Sequence, residues 1–279
     1  MRLSFSTNAF VNYPVSEAVE KIGAIGYEGV ELLADAPHLY TRALKRSDID
    51  ELKAAVSRAG VKVCNINANT VRGCYGSEVW DPLFEPSLSN PDPVARAWMA
   101  EYVKKCIDLA FEVGSPNISV NSGKIMPDTA PEDALGIFKD SLREVLAHAA
   151  TKGVRIGVEY EPGLLIESCE ELSTLIYEIG SPLLGANLDL GHSHVMGEDP
   201  ETVARSLSGR VFHIHAGDIK GRDHFHLIPG LGDMNFRSIL KLYDNGSYKG
   251  YFTVELYTCP DEPEYAAKEA FNFLKGIKL

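Results

Sequence analysis

Four side chains able to bind a cation each close a short apolar run: Glu159 in Ile156-Gly157-Val158-Glu159, Asp189 in Ala186-Asn187-Leu188-Asp189, His215 in Phe212-His213-Ile214-His215 and Glu255 in Phe252-Thr253-Val254-Glu255. A carboxylate buried alone in such a place is costly, so several that converge imply a shared counter-ion. Carboxylates with one imidazole form an oxygen-rich donor set suited to Mn2+, Mg2+ or Co2+, and the lack of thiols argues against structural zinc. Each residue also has a plainer reading. Asp189 could cap the turn at Gly191, Glu255 could pair with a lysine, and His215 could be a satisfied core histidine. Recurrence in four successive runs is what points to one cation.

Other polar residues lie close to these runs. Glu161 is two residues past Glu159 and shares its face if the strand continues. The loop Gly217 to Gly232 carries Lys220, Arg222, His224 and His226 before Pro229-Gly230-Leu231-Gly232. It would clamp a phosphate or carboxylate on a substrate, or it is a solvated turn; both readings stand at this stage. Tyr75, Trp80 and Phe84 would either cover the apolar edge of a sugar or hold their own loop down. His38, His148 and His213 are expected to be structural. The cysteines at 64, 74, 106, 169 and 259 are scattered without a C-x-x-C pair and read as reduced, mostly buried thiols.

The elements that must position these groups alternate along the whole chain. Strand-like runs are expected at Leu3 to Ser6, Gly29 to Leu33, Lys62 to Asn67, Asn117 to Val120, Arg155 to Glu159, Gly185 to Asp189, Val211 to His215 and Tyr251 to Leu256. Helical stretches are expected at Val15 to Ile25, Asp48 to Ala59, Val94 to Val113, Pro131 to Lys152, Cys169 to Ile179, Pro200 to Leu207, Phe236 to Tyr243 and Pro263 to Lys275. Ala59-Gly60, Val113-Gly114 and Lys152-Gly153 supply helix stops just before strands. Eight such cycles in 279 residues indicate an α/β fold, one (β/α)8 barrel spanning 1–279 as a single domain. The candidate ligands then lie at the C-terminal face of the strands, where such barrels carry their active sites. The long connections Ala68 to Pro93 and Ala216 to Asn235 follow strands and read as walls or lids of that face. An open doubly wound sheet is the alternative, but no G-x-G-x-x-G follows the first strand.

The bulk properties narrow the partners. Asp and Glu number 39 against 27 Lys and Arg, a net charge of −12 that disfavours nucleic acid. No run approaches a membrane span and the N-terminus lacks an apolar leader, so a cytoplasmic location is expected. Oligomeric state is left open, a homo-oligomer included.

The motifs Gly26-Tyr27-Glu28-Gly29-Val30-Glu31, Gly153 followed six residues on by Glu159, Leu188-Asp189-Leu190-Gly191-His192, His213-Ile214-His215, Ile228-Pro229-Gly230-Leu231-Gly232 and Gly250-Tyr251-Phe252-Thr253-Val254-Glu255 recur in one order over nearly the whole chain. In this the chain resembles the xylose-isomerase-like TIM-barrel superfamily of sugar isomerases and epimerases, close to its ketose 3-epimerase branch. The resemblance implies one divalent metal, Mn2+ first with Mg2+, Co2+ or Zn2+ as alternatives, on Glu159, Asp189, His215 and Glu255. It implies that Glu159 and Glu255 are catalytic, one removing a proton beside a carbonyl of a small sugar or polyol and the other returning it through an enediolate. His192 and Glu167 match positions that contact substrate hydroxyls, and His226 matches one used against substrate or metal. The extra acid Glu161 and the longer spacing to Glu167 depart from the pattern, which puts in question which of Glu159 and Glu161 is the ligand; the offset from Gly153 favours Glu159. Two rivals share the barrel. A lyase of inosose or dehydroshikimate dehydratase type begins with the same proton abstraction. A family-two apurinic endonuclease carries a trinuclear zinc centre that His224-Phe225-His226 partly resembles, but the acidic charge and the lack of further histidines in the early strands weigh against it.

Overall fold

Eight short runs rich in β-branched and other apolar residues form the staves of a closed parallel barrel in the computed structural model, which describes residues 1–69, 73, 84–243 and 248–278. The strands are β1 Leu3–Ser6, β2 Gly29–Leu33, β3 Lys62–Asn67, β4 Asn117–Asn121, β5 Arg155–Glu159, β6 Leu184–Asp189, β7 Val211–His215 and β8 Phe252–Val254. Each pairs with the next, and β1 closes on β8 through Leu3–Phe252, Ser4–Thr253 and Phe5–Val254. Outside lie α1 Val15–Ile25, α2 Arg46–Ala59, α3 Pro93–Val113, α4 Pro131–Lys152, α5 Cys169–Ile179, α6 Leu190–Met196, α7 Pro200–Ser206, α8 Phe236–Tyr243 and α9 Pro263–Gly276. Tyr75, Trp80 and Cys74 fall outside the described residues.

Glycines end the helices as expected, with Gly60, Gly114 and Gly153 in the left-handed region at φ 67°, 77° and 68°. The start of α5 is a capping box: Ser168 Oγ accepts from Glu171 N, and Glu171 Oε2 accepts from Ser168 N. The expected strand Tyr251 to Leu256 is shorter in fact. Its ladder stops at Val254, so Glu255 stands one residue beyond the sheet, free to turn into the mouth. Two elements were not anticipated. A 3-10 turn, Thr7–Phe10, follows β1 with Ser6 as its cap, and α6 starts directly after Asp189, which caps it.

Strand alternation sends one set of side chains to the helices and the other into the barrel. The helix-facing set is apolar: Phe5, Val30, Ile66, Ile118, Val158, Leu188, Ile214 and Val254 are buried in the main core. The inward set is mostly polar, joined by Ser4–Thr253, Asn65–Ser119 (2.9 Å) and His213–Thr253 (2.8 Å) hydrogen bonds. Barrels of this type more often fill that space with branched apolar residues. Among the described residues no helix is long and apolar enough to cross a membrane, and Cys64, Cys106, Cys169 and Cys259 are unbridged.

Candidate metal centre

Staves β5, β6 and β7 end in Glu159, Asp189 and His215, and Glu255 follows β8. Their donor atoms all lie within 4.8 Å of one another, and all four residues are buried. His215 is the hub. Its Nδ1 lies 2.8 Å from Glu159 Oε1, 3.4 Å from Glu255 Oε2 and 3.8 Å from Asp189 Oδ2. Asp189 combines both readings of its sequence position. Its Oδ1 accepts from the N–H groups of Gly191 (2.6 Å) and His192 (3.0 Å) to cap α6, while Oδ2 is buried with no hydrogen-bond partner. Glu255 is aimed by two amides, Asn8 Nδ2 at 3.0 Å and Asn67 Nδ2 at 3.3 Å, both on Oε1. An orphaned carboxylate oxygen among three buried acids and one imidazole fits a divalent cation.

A cavity of about 370 Å³ opens onto this cluster, lined by Glu159, Glu161, His192, His224, His226 and Glu255 among others, with Phe84 and Tyr257 on its apolar side. Glu161 therefore reaches the cavity without joining the four-donor group. His192 Nδ1 sits 3.0 Å from the carbonyl of Tyr160, its ring edge-to-face with His224 at 4.7 Å. His226 Nδ1 lies 3.2 Å from the carbonyl of Glu255, and its buried Nε2 is unpartnered, 3.7 Å from Asp189 Oδ2.

Glu167 and Arg222, expected against the substrate, are not brought to the cavity. After Glu161 the chain turns at Gly163 (φ 85°), and Glu167 Oε2 accepts from Gly163 N at 3.1 Å, on the wall of a separate outer cavity. The loop after β7 swings outward at Gly221, leaving Arg222 exposed against Gly197 at the end of α6, before it returns at His224. Asp218 governs that return. Its buried carboxylate accepts from the N–H groups of Ile219, Gly230, Gly232 and Met234, and a Cβ at Gly232 would collide with it. Sequence reasoning also assigned no role to Asn8, Asn67 and Glu31. Glu31 lies in a quoted motif, and its inward position on β2 was the available signal.

The metal-free electrostatics show how crowded the carboxylates are. Burial pushes Glu255 well above the usual range, against the pull of His215 and with the help of Glu159, Glu31 and Asp189. Burial opposes ionisation of Asp189, yet His192, His226 and His215 hold it below its ordinary value. Burial also opposes charge on His215, but Glu255, Glu31 and Glu159 raise it well above the usual imidazole range. Glu161 is raised to about 7, by burial first and by Glu159 and Asp189, against His192. His224 is lowered to about 4 by burial and by His192 and His226. Several titratable groups driven from their ordinary values thus share one cleft.

Residues 19–277 match the xylose isomerase-like TIM barrel family. The chain belongs to this family. A fructoselysine 3-epimerase of Shigella flexneri is 23% identical over 282 residues, covering 99% of this xylose isomerase-like chain and 98% of that protein. An inosose dehydratase of Clostridium perfringens is 29% identical over 157 residues, 49% of this chain and 53% of its own. The crystal structure of a D-tagatose 3-epimerase-like protein superposes with a TM-score of 0.81 at 22% identity, covering 99% of this chain and 98% of that one. Its relatives thus include sugar epimerases and a dehydratase.

Proposed function

We propose that this chain is a divalent-metal-dependent isomerase or epimerase of a small sugar or polyol that moves a proton beside a carbonyl. The observation that carries the reading is the convergence of Glu159, Asp189, His215 and Glu255, with an unpartnered oxygen of Asp189, at the floor of a sugar-sized cavity. These four residues would hold the metal, Mn2+ first. When bound, such an ion supplies Lewis acidity to the carbonyl and hydroxyl oxygens of the substrate. The end-to-end relative named as a 3-epimerase supports the same reaction class.

The chain's own groups supply the proton transfers. Glu159 and Glu255 reach the cavity from β5 and the end of β8, with β6 and β7 between them, so they approach a bound sugar from different sides. One carboxylate takes the proton beside the carbonyl and the other delivers a proton to the opposite face of the enediolate. Asn8 and Asn67 keep Glu255 aimed at the cavity, which suits it to either part. Glu161, His192 and His226 stand where they can hydrogen-bond substrate hydroxyls, and Tyr257 and Phe84 give the sugar an apolar wall. The acidic net charge supports a small-molecule partner rather than nucleic acid, and the scattered cysteines without a C-x-x-C pair support a cytoplasmic enzyme.

A dehydratase is the second reading, favoured by the half-length relative. It differs in whether a hydroxyl leaves after the proton is lost. Metal analysis of the purified protein, then solvent-deuterium exchange over ketoses, inososes and their phosphates, tests both. Label entering beside the carbonyl without loss of water is the expected result. A dehydrated product would establish the lyase, and exchange that persists after metal is stripped would overturn the metal-dependent reading.

A further inference from the structure

Directly beneath the four-donor cluster, with its three acids, lies a fourth acid that holds none of the proposed chemistry. Glu31, fully buried on β2, faces into the barrel under His215. A register shift between Val30 and Glu31 leaves Cys64 as the extra residue of β3 and sets Glu31 opposite Asn65. Its Oε2 receives Asn65 Nδ2 at 2.7 Å and His215 Nε2 at 2.7 Å, with His213 Nε2 at 3.1 Å. The orientation of Asn65 is set from its other end, since its Oδ1 accepts from Asn117 Nδ2 at 2.8 Å. Asn65 therefore turns its N–H group toward Glu31, and Glu31 acts as the acceptor for every group around that oxygen.

An acceptor at 2.7 Å from Nε2 has a consequence for the other ring nitrogen. A neutral imidazole carries one proton, and the hydrogen bond made by one nitrogen decides the tautomer. Without a cation both ring nitrogens of His215 face a carboxylate, Glu31 at 2.7 Å from Nε2 and Glu159 at 2.8 Å from Nδ1; a cation among Glu159, Glu255 and Asp189 would take the place of a proton on Nδ1 but not of the one on Nε2, which Glu31 holds. We infer that Glu31 is a positioning residue that fixes His215 as the Nε2–H tautomer with Nδ1 turned to the cation site. This rests on the metal-dependent reading above and adds the device that prepares its only imidazole donor. A buried acid that merely filled the barrel would leave both the tautomer and the metal affinity indifferent to its loss.

Zn2+ is a suitable probe because it is diamagnetic. In Zn2+-loaded, histidine-labelled wild-type protein, long-range 1H–15N spectra should show His215 protonated on Nε2 and unprotonated on Nδ1; His215→Asn assigns the signal. By chelator competition, Glu31→Gln should weaken Zn2+ binding by about 10–100-fold, the usual range when a partner behind a liganding histidine is lost, while unfolding stays cooperative. Zn2+-loaded wild type with the His215 proton on Nδ1, or a folded Glu31→Gln with unchanged affinity, would overturn the inference. Should Glu31→Gln fail to fold, the wild-type spectrum alone decides. Equal Zn2+ binding by wild type and His215→Asn would instead sink the cation site itself, a failure distinct from that of Glu31.

Discussion

The barrel has a cavity at each end, and the two are opposites. The N-terminal mouth encloses about 760 Å³ and is lined by Arg2, Lys62, Arg155, Arg205 and Lys249, with no carboxylate among its described lining residues. The C-terminal mouth, at about 370 Å³, presents Glu159, Glu161 and Glu255. Size alone would select the N-terminal end. At the wide mouth Arg2, Lys62, Arg205 and Lys249 are exposed, and Arg155 lies over the Phe212 ring at 4.5 Å and donates to Asn117 Oδ1 at 2.8 Å. Long cationic side chains that keep their charge in water cost little and require no ligand. At the narrow mouth Glu159, Asp189 and Glu255 are buried, and Asp189 Oδ2 and His226 Nε2 lack partners. Unsatisfied buried charge, rather than volume, marks the end where chemistry is expected.

The contrast is broken most directly at Glu255. Replacing it with Gln should lower kcat by about 10^3-fold, as for loss of a general acid–base group, and an active Glu255→Gln would remove the narrow mouth's claim. The metal-free variant should melt higher than wild type at neutral pH. Burial, with Glu159, Glu31 and Asp189, raises the folded-state pKa of Glu255, so folding favours its protonated form and the charged form costs stability above the ordinary carboxylate range. Scanning calorimetry at pH 7 and pH 5 reads this, with the gain shrinking at the lower pH.

Next in size is Asp218→Asn. One amide cannot accept from the four N–H groups that the carboxylate now takes, so a loss of about 2–3 kcal/mol in urea unfolding is expected. KM should rise with it, because the loop carrying His226 is released; unchanged KM would show that the loop does not shape the mouth. A smaller effect follows at His224, whose folded-state value of about 4 lies below that of the unfolded chain. The unfolded state then takes up the proton first as pH falls, so stability is lost between about pH 6.5 and 4 and is complete above it. His224→Gln should flatten that slope by no more than about 1 kcal/mol, since the ring is half exposed. An unaltered slope would place the titration elsewhere. The smallest effect belongs to the wide mouth. Arg205→Glu should leave kcat/KM within about twofold and stability within about 0.5 kcal/mol, as for an exposed substitution; a large loss would give the cationic end a function.

Much of this was readable from local pattern. The bounds of β1, β2, β3, β5 and β7 agree with the apolar runs, because alternation and glycine stops are properties of a few consecutive residues. The four strand-end donors were equally visible, since a lone acid after a buried run stands out without any fold. Glu167 and Arg222 lie away from the cavity for the complementary reason: both follow turns, at Gly163 and Gly221, whose direction depends on what the chain meets next.

What the chain of residues determined by itself was therefore a set of staves and the polar groups at their ends. Which groups meet was decided by closure. Ser4 touches Thr253 across 249 positions, Asn8 aims Glu255, and Glu31 passes beneath His215 from the far side of the ring. Those contacts exist only because β1 pairs with β8 in one register and the strand shift at Val30 sets Glu31 opposite Asn65. Pairing between distant strands is a property of the assembled sheet, and no window of neighbouring residues contains it.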